Sequence, residues 1–149
     1  MKVSGTKEFD APRRVVWEAI NDPEAMARLM PGFESFEVHD ATHWRAKVKV
    51  PLGIGGLRMT IDFEQLEERP LELASMRAKG RGVGALMDMT TSFTLSGDDA
   101  HTSMAWEADV KMLGAGGAMG QRILQPVVHQ QVEHVLSALD QRVASAQAG

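Results

Sequence analysis

The sequence predicts an α+β domain: a curved antiparallel sheet of about seven strands around one long C-terminal helix, with two short helices between the first strand and the second. Three observations carry this. From Phe33 to Met112 the apolar residues recur with a period near two; stretches rich in glycine, proline and aspartate cut that run at hairpin spacing; and beyond it the period becomes helical. A sheet with one apolar face needs a cover, and the terminal helix is the element long and amphipathic enough to provide it.

Taken in order, Val3, Gly5, Lys7 and Phe9 read as a short strand. Asp10 is the expected N-cap of a first helix, with Pro12 in its opening turn, where the missing N–H costs nothing. Val15, Val16, Ala19 and Ile20 give that helix one apolar side, and Asn21-Asp22-Pro23 ends it before a second helix from Glu24 to Met30. Pro31-Gly32 closes the pair. Turns are expected at 40–42, 51–56, 68–70, 80–84 and 96–99. The last strand is the clearest, with Thr102, Met104, Trp106, Ala108, Val110 and Met112 alternating with polar or small residues. After the glycine-rich link 113–117, a helix from about Ala118 to Ala144 carries Ile123, Leu124, Val127, Val132, Leu136, Leu139 and Val143 at helical spacing. Pro126 removes one backbone bond near Arg122, which predicts a kink or break there.

At 149 residues the chain is expected to form a single domain, 1–149. It has no cysteine, which excludes disulfides, thiolate metal sites and cysteine nucleophiles. A net charge of −4 without clustered Lys and Arg argues against nucleic-acid binding. No segment has the pattern of a secretory signal or a membrane-spanning helix, so the expected location is cytoplasmic.

Ten methionines occur without a single tyrosine, and Met59, Met76, Met87, Met89, Met104 and Met112 all fall on expected strands, most of them on the inner face. Methionine adapts to irregular apolar shapes. A methionine stripe also describes a pliable core. Small residues beside it, Ala46, Gly80, Gly82, Gly84, Ala85 and Ala108, leave room for a cavity of several hundred Å³, the usual range of small-ligand sites. Its expected lining is Trp44, Met59, Ile61, Met76, Met87, Met89, Phe93, Met104, Trp106, Ala108, Ile123 and Val127. Two glycine-bearing segments with apolar side chains, 51–57 and 113–119, are the expected gate, through Leu52, Ile54, Leu57, Leu113 and Met119.

Patterns for catalysis or cofactor binding are incomplete. His39, His43, His101, His129 and His134 are scattered, none with an obvious partner, and the spacing of His129 and His134 does not suit a zinc helix. Gly114-Ala-Gly-Gly-Ala-Met-Gly120 puts Met119 where a dinucleotide loop needs its third glycine, and no parallel strand follows. Asp62, Glu64, Asp88, Glu107 and Asp109 fall on the polar sides of their strands, so no carboxylate pair for acid–base work is expected. Arg58 and Arg77 are candidates for the mouth of a cavity. No metal and no cofactor is predicted.

The Ser4-Gly5 strand, Ala11-Pro12 followed by Val16-Trp17, then Asn21-Asp22-Pro23-Glu24 and Met30-Pro31-Gly32-Phe33-Glu34-Ser35 resemble the carbon monoxide dehydrogenase G-subunit family, part of the START-like (SRPBCC) superfamily of helix-grip proteins. The resemblance runs through nearly the whole chain. It implies a helix-grip fold with a lipid-like cavity and a non-enzymatic, accessory role beside a molybdenum-containing carbon monoxide dehydrogenase, its membrane and its quinone acceptor. It offers no catalytic motif; Pro31, Gly32, Glu34 and Ser35 read as cap and turn residues. Some members carry a C-terminal membrane anchor that this sequence does not hold, so membrane contact is expected to be peripheral. The predicted function is therefore binding of a hydrophobic, lipid-like molecule, an isoprenoid quinone being one candidate. The alternatives are a polyketide cyclase or dehydratase on the same fold, which needs a buried titratable residue facing the ligand, and an interaction or co-chaperone module.

Overall fold

The computed structural model describes residues 1–50, 56–82, 84–98, 100–114 and 120–148; of residues 85, 114, 120–124, 127, 147 and 148 it describes the backbone alone. The elements are β1 (Lys2–Phe9), α1 (Arg13–Ile20), α2 (Pro23–Arg28), β2 (Phe33–Asp40), β3 (His43–Val50), β4 (Leu57–Arg69), β5 (Leu73–Gly82), β6 (Ala85–Gly97), β7 (Thr102–Gly114) and α3 (Gly120–Ala148). The seven strands form one antiparallel sheet in the order β1-β7-β6-β5-β4-β3-β2. Strands β2 to β7 are a meander, and β1 returns to pair with β7.

Alternation along the strands sorts side chains to two faces. Ala46 lies opposite Ile61, Ile61 opposite Gly80, and Gly80 opposite Met87, so small and large apolar residues share the concave side. Charged residues take the convex side, where Asp62 accepts from Arg45 Nε at 2.7 Å and from Arg81 Nη1 at 2.9 Å. Arg77 donates twice to Asp88, at 3.1 and 2.7 Å. These guanidinium contacts hold both aspartates below the ordinary carboxylate range, Arg45 contributing most at Asp62 and Arg77 at Asp88.

The core has two parts. One encloses Phe9, Val16, Trp17, Ile20, Leu95 and Met104 with Leu139 and Val143 of α3. The other encloses Val48, Met59, Ile61 and Ala78, with Met30, Phe63, Met87 and Met89 packed around them. Helix α3 packs against α1, β1 and β7, so it anchors over the first cluster. Between residues 125 and 138 none of its described side chains is fully buried.

Several local expectations are corrected. Asp10 does not cap α1: Pro12 occupies the N-cap, its carbonyl accepting from Val15 N–H at 3.0 Å. Asp10 instead approaches Nδ1 of His101 at 3.2 Å. The second helix runs from Pro23 to Arg28 rather than from Glu24 to Met30, because Pro23 suits its first turn and Asp22 accepts from Ala25 N–H at 3.1 Å. The assigned helix α3 continues through Pro126 without a break and ends at Ala148 rather than near Ala144. Forgoing one internal bond does not stop a helix whose next turns are intact. Two histidines expected to lack partners have them: His43 lies 2.9 Å from Asp40, and His101 lies 2.7 Å from Glu8. Asp40 is drawn down to about 2, first by the Thr42 backbone N–H and then by His43. Sequence separation hid the His101 contact, which joins the ends of two strands 93 residues apart.

Gly32 answers to a real constraint. At φ +79° it takes the left-handed conformation, and a Cβ there would collide with the Lys49 carbonyl oxygen. The neighbouring Glu34 meets Arg58 at 3.6 Å.

Two predictions follow from this end of the sheet. Thr102, fully buried, donates from Oγ1 to the Ala11 carbonyl at 2.8 Å, and Thr102→Val leaves that acceptor unpaired. Urea unfolding is expected to show a loss of about 1–3 kcal/mol. The second concerns pH. Hydrogen bonding to Glu8, and then to Asp10, raises the pKa of His101 above its ordinary 6.5, so its contribution is complete below that value and fades as pH rises through the folded-state pKa. The difference in Tm between wild type and His101→Ala should therefore be larger at about pH 6 than at about pH 9.

Candidate functional site

A cavity of about 230 Å³ opens where the α1–α2 junction faces the sheet. Its lining comes from four places in the chain: Ile20, Asn21 and Pro23 from the helix pair, Ala41 and Trp44 from the β2–β3 hairpin, Gln65 and Glu68 from β4, and Ala74, Ser75, Met76 and Phe93 from β5 and β6. The helix pair is held there by Val16, Trp17, Ala19 and Ile20, which bury one side of α1 in the first core cluster. Asn21 closes α1 through its N–H to the Trp17 carbonyl at 2.9 Å, and Pro23 starts α2 two residues later. The mouth is therefore a short, fixed corner.

The cavity lies on a seam between the two clusters. On β5, Ala74 packs with the first and Ala78 belongs to the second; on β6, Phe93 packs with the first and Met89 with the second. Met76 and Thr91 sit between them, directly opposite one another, and Thr91 lies opposite Ala108 of β7 on its other side. Trp106 leans away from this row toward β1. A Cβ added at Gly5 would lie 2.8 Å from its Cζ2, so the indole covers the glycine.

Of the residues expected to line a cavity, Trp44, Met76 and Phe93 do so together. Met59, 2% exposed, and Ile61 are closed into the second cluster, with Met87 and Met89 packed against it. Met104, with no exposed surface, lies in the first cluster, with Trp106 packed against it. Ala108 is buried on the seam. The side chains of Ile123 and Val127 lie outside the described residues. Among the expected gate residues, Leu57 packs at the second cluster and Leu113 is exposed beside Leu86, both at the end of the sheet away from this cavity. Leu52, Ile54 and Met119 lie outside the described residues. Arg58 and Arg77 are paired on the convex face and do not border the cavity.

Sequence reading missed Ile20, Asn21, Pro23, Gln65 and Ala74, because a helix corner and a strand end meet only in the folded chain. It also missed Thr91, although its inward position between Met89 and Phe93 is readable from the alternation. The polar lining is sparse. Gln65 donates from Nε2 to Glu68 at 2.6 Å, and Glu68 is exposed at the rim. Among the described residues no group of three His, Asp or Glu side chains is placed to hold a metal ion. A larger depression of about 440 Å³, bordered by Arg13, Arg69, Glu72 and Thr94, is open and lined by charged and polar groups as well as Leu73 and Leu95. Among the described residues no helix is long and apolar enough to cross a membrane.

A curved seven-stranded antiparallel sheet with one long C-terminal helix and a short helix pair is the START-like, helix-grip class of domain. The chain matches the model of the carbon monoxide dehydrogenase G-subunit (CoxG) family over residues 5–144, and it belongs to that family. No curated protein sequence matches it. Among solved structures, a conserved protein from Geobacillus kaustophilus is similar at a TM-score of 0.87 with 18% identity, over 98% of this chain and 97% of that one. A START superfamily protein from Mycobacterium smegmatis gives 0.70 with 18% identity, over 97% and 98%. An aromatase/cyclase from Streptomyces gives 0.67 with 18% identity, over 96% and 95%. These likenesses establish the fold. Family and fold are those of hydrophobic ligand-binding domains.

Trp44 borders the cavity, whereas Trp17 is enclosed in the first cluster. Titration with 1-bromooctane, an apolar quencher, is therefore expected to reduce indole emission saturably. Trp44→Phe should remove most of that response and Trp17→Phe should not; the reverse result would place the entry point elsewhere.

Proposed function

We propose that this chain is a non-enzymatic carrier that takes a hydrophobic, lipid-like molecule into the cavity under the α1–α2 corner. The observation that supports it most is the meeting of Trp44, Met76 and Phe93 around accessible space on an otherwise packed concave face. Apolar matter gains roughly 0.8 kcal/mol per buried CH₂ there, and methionine and aromatic side chains adapt to its shape. The family description supports a further step: an accessory role beside a carbon monoxide dehydrogenase-type molybdenum oxidoreductase, with an isoprenoid quinone as the cargo and peripheral contact with the membrane that holds it.

About twelve atoms of ring or chain fit a space of this size, and a longer molecule extends along the seam over Thr91 and Ala108. In this reading Met59, Ile61, Met87, Met89, Met104 and Trp106 act as the deformable walls of an enlarged site. The segments bearing Leu52, Ile54, Leu57, Leu113 and Met119 remain the proposed gate at the far end.

A cyclase-type reaction would call for a titratable group facing the ligand. The carboxylate on the lining, Glu68, is exposed and tied to Gln65, which favours binding over catalysis.

Native mass spectrometry of gently purified protein is expected to show a retained lipid-like adduct. Ala74→Trp, which fills the cavity from β5, should lower adduct occupancy and the affinity for an apolar fluorescent probe about tenfold, with a stability cost of about 1–3 kcal/mol from overpacking. Undiminished probe binding in a folded Ala74→Trp protein would refute the placement.

A further inference from the structure

Thr91 is the polar residue in the inward-facing series Met87, Met89, Thr91, Phe93 and Leu95 of β6. Its Oγ1 is fully buried and has no hydrogen-bond partner among the described residues. Its cross-strand neighbours, Met76 and Ala108, offer no side-chain oxygen or nitrogen, and neither do Met89 and Phe93 on its own strand. A valine of the same shape would remove the unpaired group, which folded proteins avoid because a lone buried hydroxyl forfeits its bonds to water. Stability alone therefore does not account for threonine here.

The position suggests what does. Thr91 lies opposite Met76 and two residues from Phe93, both of which line the cavity, so it stands one step inward from the described space. The residue keeps part of its surface accessible although Oγ1 does not. Rotation about χ1 between staggered wells exchanges the methyl and the hydroxyl on the open side. Its proton has no acceptor in the apolar surroundings, so an acceptor arriving with the ligand would complete it.

We infer that Thr91 is the polar contact of the site, donating a hydrogen bond to a carbonyl oxygen carried by an otherwise apolar ligand. This rests on the carrier reading and narrows it: the cargo is a ketone-, quinone- or ester-bearing molecule, and a bare hydrocarbon is bound less well. The alkyl part occupies the Trp44–Phe93 cavity while the carbonyl turns toward β6. A hydroxyl rather than a charged group suits this task, because a buried charge in the same place would need its own counter-ion.

The test uses two probes of nearly the same shape, 2-acetylnaphthalene and 2-ethylnaphthalene, which differ in the carbonyl. Binding to the full chain is measured by equilibrium dialysis. Thr91→Val is expected to weaken the ketone about three- to tenfold, the worth of one net hydrogen bond, and to leave the hydrocarbon unchanged. Thr91→Ser should keep the ketone preference. The Tm of ligand-free Thr91→Val should rise, because an unpaired buried hydroxyl has been replaced by a methyl.

Saturable binding of both probes with an unchanged ketone affinity in Thr91→Val would overturn the role of Thr91 and leave the carrier reading standing. Equal weakening of both probes would mean that the substitution acts through shape, which also overturns it. A marked fall in Tm would show that the hydroxyl is bonded within the fold. Absence of saturable binding of either probe to the wild-type protein would defeat the carrier reading and this inference with it.

Discussion

Leu139 and Val143, enclosed between α1 and the β1–β7 edge of the sheet, fix where the long helix can lie, and the remaining packing adjusts to that. Each fully buried side chain of this size contributes roughly 1.5–3 kcal/mol, so this end of α3 is held firmly. The same docking places the helix over one half of the concave face. The other half closes on itself through Val48, Met59, Ile61 and Ala78. Two apolar clusters on one continuous sheet must meet somewhere, and the residues at the meeting line are either small, as Ala74 and Ala108 are, or pliable, as Met76 is. The cavity is the place where neither cluster supplies enough side-chain volume.

The convex face guards this arrangement without contributing much to its energy. Exposed ion pairs such as Arg77–Asp88 are worth about 0–1 kcal/mol each. Their effect is on register. A slip of one residue in β4 or β5 would turn Asp62 or Arg77 into the apolar face and lose several kcal/mol to unpaired buried charge, so the alternation is enforced from both sides. The site thus inherits its apolar character from the same pattern that keeps the strands aligned.

This explains what could be read before folding and what could not. Period-two alternation identifies which residues face inward, and it does so for Trp44, Met76, Phe93, Met104 and Ala108 alike. It carries no information about how completely the inward space is filled. Met59, Met76 and Met104 are the same residue type at equivalent alternating positions, yet Met76 meets open space and the other two are sealed. The distinction is set by where α3 docks and by the α1–α2 corner bringing Ile20, Asn21 and Pro23 against β5, which are tertiary facts. Capping failed for a related reason: Asp10 satisfies the local pattern of an N-cap, but it lies within reach of a histidine from the β6–β7 turn. Thr91 was legible and overlooked. An inward threonine within a methionine and phenylalanine series is a local rule broken, and such breaks concentrate where a protein does something other than hold itself together.

The size of the space bears on how a carrier of this design would work. At about 230 Å³ the cavity is smaller than the roughly 300–1,000 Å³ common for small-molecule sites, so a lipid-like cargo cannot enter without displacing side chains. The neighbours best able to yield are Met76, Met87 and Met89, unbranched chains that change rotamer without leaving an apolar environment. The backbone beneath them is a continuous hydrogen-bonded sheet and has little freedom to widen. Side-chain rearrangement over a fixed floor lets the empty protein stay packed, which a permanently open apolar chamber would not. It also makes affinity depend on ligand shape only loosely, because the walls follow the cargo. Discrimination must then come from a group that does not adapt, and on this face a single hydroxyl held by a central strand meets that description.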